Sequence, residues 1–132
     1  MKLSFSCSSP GKARWKQLSQ QHCGYCVPCL IRRAAMHKAF GDDGTVYTET
    51  SIYEMQNKNA EGMGIQLRSF QYAIDKIKQD RNRALFYIHK PGPLPQDDEY
   101  LRELADTYIR GLLEVDAFIQ DNLAQEDENN DL

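Results

Sequence analysis

Apolar residues recur at helical spacing through the second half of the chain. Two stripes are clear, and their members lie three or four residues apart. The first consists of Leu67, Phe70, Ala73, Ile74 and Ile77. The second consists of Leu101, Leu104, Tyr108, Leu112, Val115 and Ile119. Such spacing places the apolar side chains on one face of a helix. The pattern therefore predicts two amphipathic helices whose stripes form the core, where most helix stability originates.

The first half of the chain has a weaker pattern. Residues 28–40 predict a helix, because Pro28 suits a first helical turn and Gly41 suits the C-cap. The following residues, 41–44, read GDDG and predict a turn. Residues 45–64 have little periodicity and predict mostly loop, with one extended piece at Thr45–Tyr47.

Two further helix boundaries come from caps and prolines. A short helix is predicted from about residue 81 to residue 89, with Asp80 as its N-cap. It must stop at KPGPLP (residues 90–95), because proline cannot continue a helix. Asp97 and Asp98 are the candidate caps of the long C-terminal helix.

These elements predict a mostly α fold, in which an N-terminal four-cysteine zinc knuckle is followed by a small helical bundle. The expected organisation is residues 1–41 for the knuckle and its helix, 42–124 for the helical region, and 125–132 for an acidic disordered tail. The chain has 132 residues, which predicts one domain or a piece of one. No apolar run approaches the ~18 residues of a membrane span, and the N-terminus lacks a secretory signal. We therefore expect no membrane partner and a cytoplasmic location, where thiols stay reduced.

Charge is divided unevenly along the chain, although the net charge is only −3. Residues 1–41 contain seven lysines and arginines and no acid, whereas residues 97–132 contain twelve acids and two arginines. Two interpretations stay open: both ends face water, or the basic end contacts a phosphate, a nucleic acid or an acidic partner domain. The basic residues flanking the cysteines are Lys12, Arg14, Lys16, Arg32 and Arg33. We expect Trp15 to be buried against the cysteine loop, with stacking on a base or a partner as the alternative.

All four cysteines lie in the first 29 residues: Cys7, Cys23, Cys26 and Cys29, in the order C-x15-C-x2-C-x2-C. Disulfides do not suit a reducing compartment, and one redox CxxC pair leaves two cysteines unexplained. Zn²⁺ uses all four, because closed structural sites take four thiolates in a tetrahedron. The pattern therefore predicts one structural zinc ion. The alternatives are an iron–sulfur cluster and four unrelated thiols.

Neighbouring residues suit such a site. Gly24 permits a tight turn with positive φ, and Cys29 falls in the first turn of the following helix, whose dipole favours a thiolate. His22 is expected to hydrogen-bond at the edge of the site, with ligation in place of Cys7 as the alternative. Surface or core positions are expected for the other histidines, His37 and His89.

The string HCGYCVPCLIRRAA (residues 22–35), together with Cys7, resembles the C-terminal zinc-bearing segment of 7-cyano-7-deazaguanine synthases, enzymes of queuosine biosynthesis. That family has an upstream cysteine, then CG-x-C-x-x-C, then an arginine early in the closing helix. The resemblance covers residues 4–40 and implies that the four cysteines are zinc ligands and Gly24 is the motif glycine. With KPGPLP before an acidic helix, the chain is most similar to the divergent synthase-like proteins of bacterial anti-phage defence systems.

The family adenylates a carboxylate with ATP, and an N-terminal α/β domain with an SGG-x-D-S loop holds the nucleotide. This sequence has no such loop. The resemblance implies a C-terminal portion, truncated or separately encoded, that is not catalytic by itself and supports an ATP-using domain or other defence-system proteins. The alternative function is a free-standing zinc module that contacts nucleic acid or a partner protein through its basic N-terminal region.

Overall fold

The computed structural model describes residues 5–41, 44–57 and 62–130. The helices of these ranges are α1 (Gly11–Trp15), α2 (Val27–Phe40), α3 (Ile52–Asn57), α4 (Met63–Gln79), α5 (Arg83–Tyr87) and α6 (Asp98–Asn130). The only β pairing within them is a parallel bridge between His22 and Tyr47. The mostly α fold, with a four-cysteine cluster ahead of the helices, is confirmed. None of the described helices combines the length and the apolar character that a membrane crossing requires.

The longest helix, α6, organises the bundle. Its 33 residues span about 50 Å, and α2, α3, α4 and α5 all pack against it. The two predicted stripes form the contact faces of α4 and α6. The buried members are Leu67, Ile74, Ile77, Leu112, Val115 and Ile119. The partly buried members are Phe70, Ala73, Leu101, Leu104 and Tyr108. Both amphipathic helices are therefore confirmed.

The predicted caps of α2 and α6 are also present. Gly41 ends α2 with φ 75°, and its N–H donates to the carbonyl of His37 at 2.8 Å. At the start of α6, the Asp97 carboxylate accepts the N–H groups of Glu99 at 3.0 Å and Tyr100 at 3.1 Å. Asp97 is thus the capping side chain, because it satisfies two backbone donors that have no partner within the helix.

Three local predictions need correction. The region predicted as loop, residues 45–64, contains α3, which is anchored by the buried side chains of Ile52 and Met55. Six residues are too few for a periodic pattern to stand out, and residues 58–61 of that region lie outside the described ranges. The polar segment before the cysteine run, for which no helix was predicted, contains the short helix α1. The helix predicted over residues 81–89 is shorter, although Asp80 does accept the N–H of Asn82 at 3.0 Å.

The acidic tail is helical as far as Asn130, so its predicted disorder is wrong for residues 125–130. The Glu126 carboxylate explains the order of this segment. It accepts the Ser51 hydroxyl and the Tyr53 N–H, both at 3.0 Å. These bonds tie the end of α6 to the start of α3. The last two residues of the predicted tail, 131–132, lie outside the described part of the chain.

Some of the unevenly distributed charges form ion pairs within the protein. Neither interpretation from the sequence, a solvated face or a contact with a partner, included such pairs. Acidic residues of α6 pair with basic residues of α2 and α4. The pairs are Lys38–Glu114 at 2.6 Å, His37–Asp121 at 2.9 Å and Lys78–Asp116 at 2.6 Å. The acidic helix therefore serves as a partner for basic side chains on two neighbouring helices.

Candidate metal centre

The four predicted cysteines meet at the N-terminal end of the bundle. Their Sγ atoms all lie within 4.8 Å of one another. The Cys23 and Cys29 sulfurs are 3.8 Å apart, and those of Cys7 and Cys26 are 4.0 Å apart, so all four are free thiols. Three of them are fully buried, while Cys7 is partly exposed. The cluster could hold one metal ion.

The start of α2 positions three of these thiols. Cys26 is the N-cap residue of α2 and has extended backbone angles, and Cys29 follows in the first turn, as predicted. The Cys26 N–H points at the Cys23 sulfur, at 3.4 Å. The sulfurs of Cys23, Cys26 and Cys29 therefore converge at the N-terminus of α2. The helix dipole favours negative charge at that point.

Cys7 reaches the same point from a separate segment. Its sulfur accepts the N–H groups of Ser9 and Cys23, both at 3.3 Å. The second bond crosses 16 residues of sequence and fixes the N-terminal segment against the knuckle, the segment of residues 22–29. The fourth thiol is thus held by a tertiary contact rather than by local spacing.

The segment of residues 47–50, here called the clamp, lies directly against the knuckle. Its Thr48 and Glu49 N–H groups donate to the His22 and Cys23 carbonyls at 2.9 and 3.0 Å. Gly24 has φ +90°, as the predicted turn requires, and a Cβ there would lie 2.0 Å from the Glu49 carbonyl oxygen. Glycine is therefore needed for two reasons, and the sequence had indicated only the turn.

Arg33 ties the knuckle, the clamp and α6 together. Its side chain is only 7% exposed. Nη1 donates to the Gly24 carbonyl at 3.0 Å, and Nη2 donates to the Thr50 carbonyl at 2.5 Å. The guanidinium lies 5.2 Å from the Tyr47 ring centroid and 4.9 Å from that of Phe118. Both open interpretations of the basic end place Arg33 at the surface, and its burial corrects both for this residue.

His22 lies at the edge of the cluster, as predicted. It is buried, and its Nδ1 is 3.9 Å from the Cys29 sulfur, within reach of a weak hydrogen bond. The ring packs 4.7 Å from Phe5 and 5.9 Å from Tyr47, measured between centroids. Since four sulfurs converge without it, a role as neighbour of the site suits this histidine better than ligation. His89 is exposed, in line with its expected surface position.

Burial and hydrogen bonds among the thiols shift their pKa values in opposite directions. The pKa of Cys23 is lowered, mainly because the Cys29 thiol donates a hydrogen bond to its thiolate. The pKa of Cys29 is raised, because it holds the shared proton and is buried. Burial also raises the pKa of Cys7. A cation that requires four thiolates would therefore displace protons when it binds.

Trp15 is 88% exposed, so its predicted burial is wrong. The reason lies in how α1 docks. Ala13 is the residue of α1 that is buried, and this leaves the indole on the outside. Lys12 and Arg14 are exposed as well, whereas Lys16 forms an ion pair with the Glu49 carboxylate.

No family model, curated protein or solved structure matches this chain. The resemblance to the deazaguanine synthases therefore rests on the sequence motifs and stays a prediction. Neither the clamp nor the hydrogen bonds of Arg33 could be inferred from the sequence pattern. The only local hint was Gly24, whose missing side chain makes the close approach of the clamp possible.

Proposed function

We propose that the protein is a structural zinc module in which Cys7, Cys23, Cys26 and Cys29 bind one Zn²⁺. The sulfur positions support this. Zinc–sulfur bonds of about 2.3 Å in a regular tetrahedron place the sulfurs about 3.8 Å apart. Two sulfur pairs are 3.8 and 4.0 Å apart, and all four sulfurs lie within 4.8 Å of one another, so four thiolates could close on a zinc ion with small adjustments.

The burial of the cluster favours a structural role over a catalytic one. Three of the four thiols are inaccessible, and a four-thiolate zinc site has no open position for water or substrate. The cysteines also belong to the same core cluster as Leu30, Ile52 and Leu67. Zinc would stabilise the N-terminal end of this core by holding the segment around Cys7 against α2.

We further propose that this module supports a synthase-like, ATP-using domain located outside this chain, as in the divergent branch associated with anti-phage defence. The support is the CG-x-C-x-x-C motif, the upstream Cys7 and the arginine pair at residues 32–33. Burial of Arg33 against the knuckle gives one arginine of that pair a structural purpose. The sequence lacks the SGG-x-D-S loop that holds ATP in that family, so we assign ATP binding to the partner.

Metal content tests the zinc proposal. Protein purified without added metal should contain about one equivalent of zinc per chain by elemental analysis. Cys26→Ser should lose most of it, while His89→Gln, an exposed histidine variant, should retain it. Less than a tenth of an equivalent in a folded protein would overturn the proposal, and a brown, iron-containing protein would point to an iron–sulfur cluster instead.

A separate experiment tests the synthase part. The isolated chain should release no pyrophosphate from ATP, and it should co-purify with the product of a neighbouring reading frame that encodes SGG-x-D-S. Pyrophosphate release by the chain alone, abolished by Lys12→Ala or Arg14→Ala, would contradict the supporting role. If zinc is present but no such partner binds, the synthase assignment fails and the zinc proposal stands.

A further inference from the structure

The outward side of α1 is a small basic and aromatic surface, formed by Lys12, Arg14 and Trp15. All three side chains are exposed, and the Trp15 indole is 88% exposed. Burial of Ala13 at 1% exposure fixes α1 on the protein and sets this orientation. Aromatic side chains usually contribute stability through burial, and exposed tryptophans are enriched where partners bind. We call these three residues the α1 surface.

The α1 surface differs from the other exposed aromatic positions. The Tyr72 ring has Lys76 5.2 Å from its centroid, and Phe86 packs edge-on against Tyr87 at 6.0 Å. Within the described ranges, the structure records no ring or cation contact for Trp15. Both faces of its indole are therefore accessible to a flat ligand.

Charge narrows the chemistry of the partner. No acid occurs in residues 1–41, and Glu49, the acid that reaches the end of α1, is paired with Lys16. Among the ion pairs of the described residues, none involves Lys12 or Arg14. Lys12 lies about one helical turn before Trp15, so the two residues lie on the same side of α1. Arg14 adds a second cation beside the ring in sequence.

We propose that the α1 surface binds single-stranded nucleic acid, with a base stacked on Trp15 and phosphates contacted by Lys12 and Arg14. Exposed aromatic rings between cations are the recurring device for binding single strands without sequence preference. Of the four adjoining exposed residues, Gln17, Ser19 and Gln20 are polar and only Leu18 is apolar, which suits a wet nucleic-acid contact better than a dry protein interface. This inference is independent of the synthase assignment.

The binding should be local and sensitive to salt. The net charge of −3 opposes a polyanion at long range, so affinity must come from the few contacts at α1. Two phosphate contacts to a single strand predict a slope of about −1.4 for log affinity against log salt concentration. A much steeper slope would require cations beyond this surface.

Trp15 is the only tryptophan, so its fluorescence reports on the proposed site directly. The protein, zinc-loaded and at low salt, should be titrated with an oligothymidylate of about 12 nucleotides, a length within the range of single-strand sites. Stacking should quench the tryptophan emission in a saturable manner. A duplex of the same length should quench less, because its bases are already stacked on one another.

Matched variants separate this surface from general charge effects. Trp15→Ala should weaken binding of a labelled oligothymidylate about 5- to 150-fold, the range measured when a stacking aromatic is removed. Lys12→Glu with Arg14→Glu should weaken binding and flatten the salt dependence. The control variants are Arg81→Glu with Arg83→Glu, and Phe86→Ala. The double arginine variant has the same spacing and charge change as the Lys12 and Arg14 pair, and Phe86→Ala removes an exposed ring from another helix. Both controls should bind the oligothymidylate like the parent.

Zinc content of every variant should equal that of the parent, because none of the changed residues contacts the cysteines. The proposal is overturned if tryptophan emission is not quenched at low salt, or if the α1 variants bind no worse than the control variants. It is also overturned if Trp15→Ala leaves nucleic-acid binding intact but prevents co-purification of an ATP-using protein. In that case the α1 surface is a protein interface.

Discussion

Removing the Arg33 side chain would separate the knuckle from the clamp and from α6. In Arg33→Met, the carbonyls of Gly24 and Thr50 lose their charged donor in a buried region. Each hydrogen bond from a charged group contributes about 1.5–3 kcal/mol. The methionine stem can still fill much of the space between Tyr47 and Phe118, so little cavity energy is added. We expect a loss of about 3–5 kcal/mol in the free energy of unfolding.

For a chain of this length, that loss corresponds to a fall in melting temperature of about 10–20 °C. Zinc affinity should fall as well, by about 10- to 100-fold, as is typical when a group that orients metal ligands is removed. Thermal unfolding with zinc in excess gives the first quantity. Competition with a chromogenic chelator gives the second.

Two companion variants isolate the cause. Arg33→Lys retains the positive charge, but one ammonium cannot donate to both carbonyls in the forked geometry of a guanidinium, so an intermediate loss is expected. Arg81→Met changes an exposed arginine and should alter stability by less than about 0.5 kcal/mol. The reasoning is refuted if Arg33→Met melts within about 2 °C of the parent and retains its zinc affinity.

Three further predictions concern the Gly24 turn, the pH dependence of zinc binding and an ion pair of α6. Gly24→Ala should disrupt the knuckle, because its Cβ would lie 2.0 Å from the Glu49 carbonyl oxygen. Gly111→Ala, in open space on α6, should instead stabilise the protein by about 1 kcal/mol. Thermal melts with zinc analysis compare the two variants, and equal effects would contradict the close approach of the clamp. Zinc affinity should decrease as pH falls, because bound zinc holds the thiol pKa values below those of the unfolded chain. The stabilisation by zinc is therefore present at high pH and lost on acidification. Chelator competition across pH checks the sign, and tighter binding in acid would show it to be wrong. Asp116→Asn should lower the free energy of unfolding, measured in urea, by less than about 1 kcal/mol, because its partner Lys78 is half exposed. A larger loss would contradict the weak contribution that this exposure predicts.

Local signals in the sequence were sufficient for the main helices. Periodicity of apolar residues identified α4 and α6, because burial of one helix face requires that spacing. Gly41 and Asp97 marked a helix end and a helix start, because capping involves only residues within one turn. The cysteine spacing likewise predicted three clustered thiols at the start of α2, because a C-x2-C-x2-C run and a helix N-terminus are both local features.

The sequence was misleading where contacts with distant residues decide the outcome. The acidic residues 125–130 look suited to solvent, yet Glu126 is held by Ser51 and Tyr53, more than 70 residues earlier. The helix α3 is too short to show a period and depends on the burial of two side chains. Trp15 was expected to be buried against the cysteine loop, as a single tryptophan usually is, but the docking of α1 through Ala13 turns it outward.

By itself, the sequence determined the helical class, the principal helices and the identity of the four thiols that could share one ion. The tertiary structure decided how the site is assembled. It brought Cys7 to the knuckle, placed the clamp against Gly24, buried Arg33 between two aromatic rings and paired the acids of α6 with neighbouring helices. The physical reason is that helix period, caps and C-x2-C turns depend on residues a few positions apart, whereas burial and hydrogen bonding of a single side chain depend on which distant segments pack around it.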